Sequence, residues 1–335
     1  MNDLATDRVS DAPADIWVYR LLPVSVWPYA QLARWDRPIG WWLLLWPCWW
    51  SLALAIGYST GLADVAPSPG GVGALLGEIA PILAAQFVLF WLGAVMMRGA
   101  GCTYNDYIDC EIDAQVARTA SRPIPSGRVS KTRSLVFLLI QALVGLLCLL
   151  GLCFIGQPQF NVFALILGVS SLVIVACYPF AKRITNWPQL VLGLAFSWGG
   201  LMGWAVVFAD VTATALLLYL GSILWVIGYD TIYAHQDKED DALVGVRSTA
   251  RLFGDRTKPA LLLLYSGSAA LFALAFASVG AGWPAFVGLA AGFLHMLWQI
   301  RSLDIDDADN CLTLFKSNTR FGWILFAGIL LDWLV

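Results

Sequence analysis

The chain has 335 residues, of which 59% are hydrophobic and 13% charged, and its mean hydropathy is +0.72. This composition excludes a soluble globular domain and is typical of a polytopic membrane protein. The formal net charge of −3 gives no sign of nucleic-acid binding. Two His, and seven Cys without a CxxC pair, do not favour a zinc site.

Nine apolar segments are expected to form transmembrane helices, since a helix needs about 20 apolar residues to cross the hydrocarbon core. The ninth is short and runs to the last residue, so eight spans is the alternative count. In chain order the predicted spans are 38–57, 81–99, 134–155, 161–180, 187–208, 212–233, 259–279, 283–300 and 321–335.

The basic residues fall on one side of this predicted arrangement. All 20 Lys and Arg lie before the first span or close to the links that follow spans two, four, six and eight. The links near 58–80, 156–160, 209–211 and 280–282 contain none. The positive-inside rule therefore places the N-terminus and the basic links in the cytoplasm, and the C-terminus outside.

Residues 1–30 are predicted to form a cytoplasmic or interfacial segment before a membrane domain of residues 31–335. The segment begins with four Asp in 15 residues and has no apolar core. This pattern fits neither a signal peptide nor an acid-poor transit peptide. We therefore expect a bacterial inner membrane as the location.

Two acidic clusters follow apolar segments, NDYIDCEID at 105–113 after span two and DTIYAHQDKEDD at 230–241 after span six. In each, carboxylates recur three or four residues apart and so share one helix face. Like charges on one face repel, and carboxylate oxygens suit a hard cation such as Mg²⁺ or Ca²⁺. Two facing stripes of this kind would suit Mg²⁺ ions that bridge the oxygens of a diphosphate.

Four basic residues near the clusters are candidates for anion binding. Arg122 follows the first cluster in a Pro-bounded turn, where its planar guanidinium is expected to bind phosphate oxygens. Lys182 and Arg183 end span four, where they either bind a diphosphate or merely anchor the helix in lipid headgroups. Arg98, two helical turns before Asn105, binds either a substrate carboxylate or the Asp cluster itself.

Several stretches together carry a resemblance to one family. The stretch RGAGCTYNDYIDCEID at 98–113, continued by RTASRPI at 118–124, is similar to the NDxxDxxxD signature of UbiA-type intramembrane prenyltransferases. DRPIG at 36–40, YPFAKRITNWPQLVLG at 178–193 and the second acidic cluster are similar to that family as well. The resemblance covers nearly the whole chain beyond about residue 30.

The resemblance implies an all-α bundle of nine transmembrane helices around a central cavity open to lipid. It also implies a Mg²⁺-dependent enzyme of ubiquinone biosynthesis. Such an enzyme transfers a polyprenyl group from polyprenyl diphosphate to the ring carbon ortho to the hydroxyl of 4-hydroxybenzoate.

The same resemblance assigns roles to residues. The metal ligands would come from the two clusters: Asn105, Asp106, Asp109, Asp113, Asp237 and Asp241. Four of these would be catalytic: Asp109, Asp113, Asp237 and Asp241. Asn105 would also contact the substrate diphosphate. The basic residues that bind this diphosphate would be Arg37, Arg122, Lys182 and Arg183. The carboxylate of the aromatic acid would meet Arg98, which favours the substrate role for that residue.

Two alternatives stay open. A sister enzyme would prenylate a naphthoate, a porphyrin or a homogentisate-type ring. A secondary transporter for an anion would place its charges near the bilayer midplane. Here the charges concentrate at one membrane face, which favours binding of a lipid diphosphate headgroup over transport.

Overall fold

The structure is a computed structural model that describes residues 16–61, 71–115, 119–238, 245 and 247–335. Within its helices, the side chains of residues 71–76, Ile112, Lys182 and Arg183 lie outside the description. The described residues form helices and no strand, which confirms the predicted all-α class.

The helices, numbered in chain order, are α1 (Trp17–Leu21), α2 (Trp27–Leu32), α3 (Ile39–Thr60), α4 (Gly71–Asp113), α5 (Lys131–Phe154), α6 (Val162–Ile184), α7 (Pro188–Phe196), α8 (Gly199–Phe208), α9 (Ala213–Ala234), α10 (Thr249–Phe253), α11 (Thr257–Ser278), α12 (Trp283–Ser302), α13 (Ala308–Lys316) and α14 (Asn318–Asp332). Short 3₁₀ turns occur at Val24–Val26, His235–Asp237 and Gly254–Arg256.

Eight helical segments among the described residues are long and apolar enough to cross a membrane, so the chain is a multi-pass membrane protein. They overlap the first eight predicted spans. The ninth predicted span corresponds to α14, which has 15 residues. A helix of that length extends about 22 Å, which is less than the roughly 30 Å hydrocarbon core.

The longest helix departs most from its predicted span. α4 has 43 residues and continues well beyond the predicted end at residue 99. The apolar pattern stops where polar residues begin, but a helix needs only its own backbone hydrogen bonds to continue. The extension contains residues 105–113, so the first acidic cluster lies on the same continuous helix as the second span.

The fifth predicted span, 187–208, is two helices, α7 and α8, separated by a turn at Ser197 and Trp198. Gly203 on α8 lies so close to α3 that an added Cβ would come within 2.6 Å of the Cys48 carbonyl oxygen. Only glycine permits this approach of two backbones. Nothing in the apolar pattern predicts it.

The chain divides into two compact units. The first comprises the residues up to Trp42 together with Leu89–Gly151, and the second comprises Leu43–Val88 and Leu152–Val335. The predicted boundary at residue 30 and the predicted central cavity stay predictions.

Buried aromatic side chains form the core of the second unit. The ring of Trp50 lies 5.2 Å from that of Trp225 and 5.7 Å from that of Phe272, measured between centroids. The indole of Trp50 donates to the Gly322 carbonyl oxygen at 3.1 Å, and that of Trp225 to Asn318 Oδ1 at 2.9 Å. These large rings are therefore buried with their polar N–H groups paired.

The outer surfaces of α5 and α6 are apolar. Both helices expose more than half of several large aliphatic side chains: Leu139, Ile140, Leu143, Ile166 and Val173. Such exposure would be costly in water and is expected for side chains that face lipid.

Candidate active site

The first acidic cluster forms a buried stripe on α4. Asp106, Asp109 and Asp113 succeed one another at spacings of three and four residues, and each is less than one-tenth exposed. The spacing places them on one helix face, as predicted. Burial raises the pKa of the Asp113 carboxyl above its ordinary value, against the opposing effect of Arg122.

Two arginines supply countercharge to this stripe. Nη2 of Arg34 donates to Asp106 Oδ1 at 2.7 Å. Nη1 of Arg122 lies 3.3 Å from the same oxygen and 2.8 Å from Asp113 Oδ2. Buried carboxylates are costly without a partner, so these ion pairs offset both the desolvation and the mutual repulsion of the stripe.

A tight turn after α4 positions Arg122. The backbone N–H of Arg122 donates to the Thr119 carbonyl oxygen at 2.9 Å, and the Ser126 hydroxyl donates to the Arg122 carbonyl oxygen at 2.6 Å. Gly127 closes the turn at φ +75°, a conformation that favours glycine. Nε of Arg122 is buried and donates to no described residue, so the guanidinium retains a donor for a further anion.

Arg34 is the residue of this site that the sequence patterns did not single out. It lies between α2 and α3 at φ 56°, a backbone conformation that is uncommon outside glycine. Its Nη1 donates to the Gln31 carbonyl oxygen at 2.7 Å, so both ends of the guanidinium are held. The available signal was a cation before the first span, which the positive-inside rule already explains.

Arg37, predicted to contact the diphosphate, lies beside Asp36. Its Nε is 3.4 Å from Asp36 Oδ1, and the Tyr19 hydroxyl donates to Asp36 Oδ2 at 3.3 Å. Asp36 is fully buried. This group therefore orders the chain just before α3, and contact of Arg37 with a diphosphate stays a prediction.

Arg98 lies two helical turns before Asn105 on the same side of α4, as predicted. Its guanidinium rests against the start of α3. A Cβ built on Gly40 would lie 2.6 Å from Nε of Arg98 and 3.2 Å from its Nη2. Asn105 is half-buried. The functional roles of both residues stay predictions.

The second acidic cluster is described as far as Lys238. α9 runs into a 3₁₀ turn that contains Asp237, which is half-buried. His235 in the same turn is buried, and its Nε2 lies 3.0 Å from the Thr257 hydroxyl. Nζ of Lys238 forms an ion pair with Oδ1 of Asp306, on the link between α12 and α13.

Three predicted site residues cannot be placed in this geometry. Asp241 falls within 239–244, outside the described residues. Lys182 and Arg183 belong to the last turns of α6, but their side chains lie outside the description. Their proposed contacts with metal and diphosphate stay predictions.

The first cluster offers a donor set that fits a hard divalent cation. Within the described part of the chain, no three His, Cys, Asp or Glu side chains converge closely enough to hold an ion by themselves. Oδ2 of Asp106, however, is buried and accepts no hydrogen bond from a described residue. Asp109 and Asp113 follow within two turns. A cation is favourable beside such an oxygen, so the carboxylates of the stripe fit Mg²⁺.

Fold and site together define a class: a multi-pass helical membrane protein with a buried acidic stripe and arginine partners on an extended transmembrane helix. The sequence profile of the UbiA prenyltransferase family matches residues 44–325, and the chain belongs to that family.

Individual proteins show the same relationship. The chain is 43% identical over 316 residues to the mitochondrial 4-hydroxybenzoate polyprenyltransferase of Arabidopsis thaliana, covering 94% of this chain and 71% of that protein. The apo structure of a UbiA homologue from Aeropyrum pernix K1 is 26% identical with a TM-score of 0.63, over 85% of this chain and 97% of that one. A UbiA homologue from Archaeoglobus fulgidus bound to GPP and Mg²⁺ shares the fold at 16% identity, with a TM-score of 0.62 over 92% and 100% of the two chains.

Proposed function

We propose that this protein transfers a polyprenyl group from polyprenyl diphosphate to the ring carbon ortho to the hydroxyl of 4-hydroxybenzoate, releasing diphosphate, in ubiquinone biosynthesis. The observation that carries the proposal is the buried carboxylate stripe of α4 with Arg122 across two of its members. Carboxylates that fit a cation, beside a guanidinium with a spare donor, match the needs of a diphosphate. The Arabidopsis relative, a 4-hydroxybenzoate polyprenyltransferase, supports the choice of acceptor.

Divalent metal is part of this proposal. A Mg²⁺ ion, when bound, neutralises diphosphate oxygens and so makes diphosphate a better leaving group. The Archaeoglobus homologue, a structure with GPP and Mg²⁺, supports a divalent ion. We assign residues of the first cluster to one ion and of the second cluster to another: Asn105, Asp106, Asp109 and Asp113, then Asp237 and Asp241.

Arg122 is proposed to change partners when the diphosphate arrives. In the structure its guanidinium pairs with Asp106 and Asp113. Turning towards phosphate oxygens would release both carboxylates, and a cation would then compensate them. The exchange leaves no buried charge unpaired. Breaking one buried ion pair without such a replacement would cost about 3–5 kcal/mol. Arg37, Lys182 and Arg183 are assigned to the same anion.

Arg98 is proposed to orient the acceptor. A guanidinium binds a carboxylate through two parallel hydrogen bonds, which fixes the plane and direction of the aromatic acid. Loss of diphosphate leaves an allylic cation on the prenyl chain, and the ring carbon ortho to the hydroxyl forms the new C–C bond. That carbon then loses its proton, which restores aromaticity. Correct orientation of the acceptor ring raises the rate, because two bound and aligned substrates react as if in a unimolecular step.

We also propose an orientation of the protein in its membrane. The distribution of Lys and Arg supports an arrangement in which the N-terminus and both acidic clusters lie on the cytoplasmic side of a bacterial inner membrane. In a mitochondrion, as in the Arabidopsis relative, the corresponding side would be the matrix. In a variant without the seven native cysteines, labelling of single cysteines introduced at the exposed Ser126 or Ser130, and at Ala281, from each side of the membrane would test this orientation.

The proposed reaction is tested with the full chain in membranes. We expect 4-hydroxybenzoate and polyprenyl diphosphate to yield the ortho-prenylated acid, identified by mass spectrometry and NMR. EDTA should abolish its formation and added Mg²⁺ should restore it. Transfer to a naphthoate or homogentisate ring with none to 4-hydroxybenzoate would refute the acceptor, and full activity in EDTA would refute the metal requirement.

A further inference from the structure

Gly40 occupies a helical position for which the backbone does not require glycine. It is the second residue of α3 and does not adopt a positive φ. Glycine is a poorer helix former than alanine, so its presence in a regular turn calls for a reason. The reason is the side chain that packs against Gly40.

The space beside Gly40 is filled by the guanidinium of Arg98. A Cβ added to Gly40 would lie 2.6 Å from Nε, 3.2 Å from Nη2 and 3.3 Å from Cζ of that side chain. These are its three nearest neighbours, and all belong to one guanidinium. Gly40 therefore forms a notch, and the charged end of Arg98 lies in it.

We infer that Gly40 is a specificity-determining positioning residue, whose missing side chain sets where the Arg98 guanidinium lies and hence where the carboxylate of the aromatic acid binds. The inference rests on the proposed function, in which Arg98 binds that carboxylate. In this role Gly40 contacts neither substrate. It acts through Arg98 alone.

A methyl group at residue 40 should move Arg98 and little else. A contact of 2.6 Å is too short for carbon and nitrogen, so one partner must shift by close to an ångström. The obstructing atoms are the far end of a long flexible side chain, so the guanidinium moves more easily than either helix backbone. A misplacement of about 1 Å in a positioning group is enough to reduce a rate on the order of 100-fold.

Two other glycines on α4 provide matched comparisons. A Cβ on Gly99 would lie 2.2 Å from Nε2 of Gln141, a buried side chain whose Oε1 accepts a hydrogen bond from Thr103 at 3.3 Å. That clash should loosen the packing of α4 on α5 and affect every property of the protein. A Cβ on Gly93 would meet only the Cβ of Cys148 at 3.6 Å, an ordinary contact.

The test compares Gly40→Ala, Gly93→Ala, Gly99→Ala and the wild type as full chains in membranes, measuring kcat, the KM of each substrate and the unfolding temperature. For Gly40→Ala we expect the KM for 4-hydroxybenzoate to rise tenfold or more. The KM for polyprenyl diphosphate should stay within twofold, and the unfolding temperature should be no lower than that of the wild type, since alanine is the better helix former. Gly93→Ala should match the wild type in kcat and both KM values, with an unfolding temperature no lower than that of the wild type.

A double-mutant cycle shows whether Gly40 acts through Arg98. In an Arg98→Ala background, Gly40→Ala should add nothing to the KM for 4-hydroxybenzoate, because the group it displaces is gone. Additive effects would overturn the inference. So would an equal rise in both KM values, or an unfolding temperature lowered as far as that of Gly99→Ala.

The inference and the proposed function fail in different ways. A wild type that prenylates 4-hydroxybenzoate, with a Gly40→Ala variant of unchanged KM, would refute the role of Gly40 alone. A wild type that transfers no prenyl group to 4-hydroxybenzoate would refute the proposed function, and the role of Gly40 with it.

Discussion

The two acidic clusters both place carboxylates three or four residues apart, but their surroundings differ. The first lies on an unbroken helix, where Asp106, Asp109 and Asp113 are buried and Arg34 and Arg122 provide countercharge. The second follows a helix end. There Asp237 is half-buried, and the adjacent Lys238 pairs with an exposed aspartate, Asp306.

The difference shows that carboxylates at the same spacing can differ in the free energy that their desolvation costs. Charges in the first cluster are removed from water, so arginines from the same unit must compensate them. In the second cluster, the half-buried Asp237 keeps part of its hydration and needs less compensation. Substitutions in the first cluster should therefore change both stability and metal binding, whereas substitution of Asp237 should change metal binding alone.

The largest expected effect concerns the carboxylates themselves. Asp109→Asn and Asp237→Asn should each lower kcat by on the order of 100-fold or more, since each removes charge from a proposed metal ligand at the step where charge develops. Steady-state assays at saturating substrates and limiting Mg²⁺ measure this. Asp210→Asn, which changes an exposed aspartate between α8 and α9, is the matched control and should have no effect. A wild-type rate in either variant would remove that cluster from the metal site.

Arg34→Ala tests the cost of the buried stripe. Removing the partner at 2.7 Å leaves Asp106 with Arg122 at 3.3 Å. We expect a loss of about 3 kcal/mol in the free energy of unfolding, as for other broken buried ion pairs. Denaturant unfolding in detergent measures it, and Arg133→Ala, at an exposed arginine, is the control. A loss no larger than the control's would show that the stripe does not need Arg34.

The fold could be predicted from sequence where a single physical signal dominates. Apolar length predicted eight of the helical spans, and alternation of basic and non-basic links agreed with that count. The signal failed at α4, which continues past its apolar stretch, and at α7 and α8, where backbone contact at Gly203 depends on a distant segment. Hydropathy predicts whether a residue lies in lipid or in water, but it does not predict which residues pack against it.

The candidate site was only partly predictable for the same reason. Asp106, Asp109 and Asp113 share a face because helix periodicity requires it, and Arg122 follows them closely in sequence. Arg34 is 72 residues from Asp106 in the chain, so its pairing depends on tertiary structure. The notch at Gly40 likewise exists only once α3 and α4 are packed, since a glycine in a sequence does not reveal what fills its space.

Substitutions of two arginines in the first unit are each expected to raise the KM of a different substrate. Arg98→Ala should raise the KM for 4-hydroxybenzoate roughly tenfold to 100-fold, because a charge-assisted hydrogen bond contributes about 1.5–3 kcal/mol. Arg122→Ala should instead raise the KM for polyprenyl diphosphate. Initial rates with one substrate varied at a time measure both constants. An equal effect of Arg98→Ala on both substrates would make Arg98 a structural partner of the stripe.

The smallest expected effect concerns the ion pair of the second cluster. Asp306→Asn removes a partner of Lys238 that is largely exposed to water. Because exposed pairs contribute little, we expect an unfolding temperature equal to that of the wild type and a kcat within twofold. Thermal unfolding of Asp306→Asn and Arg34→Ala under the same conditions compares the two losses of stability directly. A loss of stability comparable to that of Arg34→Ala would refute the distinction between the clusters.

The central claim is that the buried stripe of α4 binds a divalent ion that the reaction uses. Electron paramagnetic resonance of Mn²⁺ titrated into purified protein with polyprenyl diphosphate measures that binding, with diphosphate alone as the blank. The wild type should bind two Mn²⁺ ions beyond the blank. Asp109→Asn should weaken one of them at least about tenfold and leave the other, since the loss of one charged ligand costs roughly 1.4 kcal/mol or more. Equal Mn²⁺ binding by the wild type and Asp109→Asn would contradict the claim.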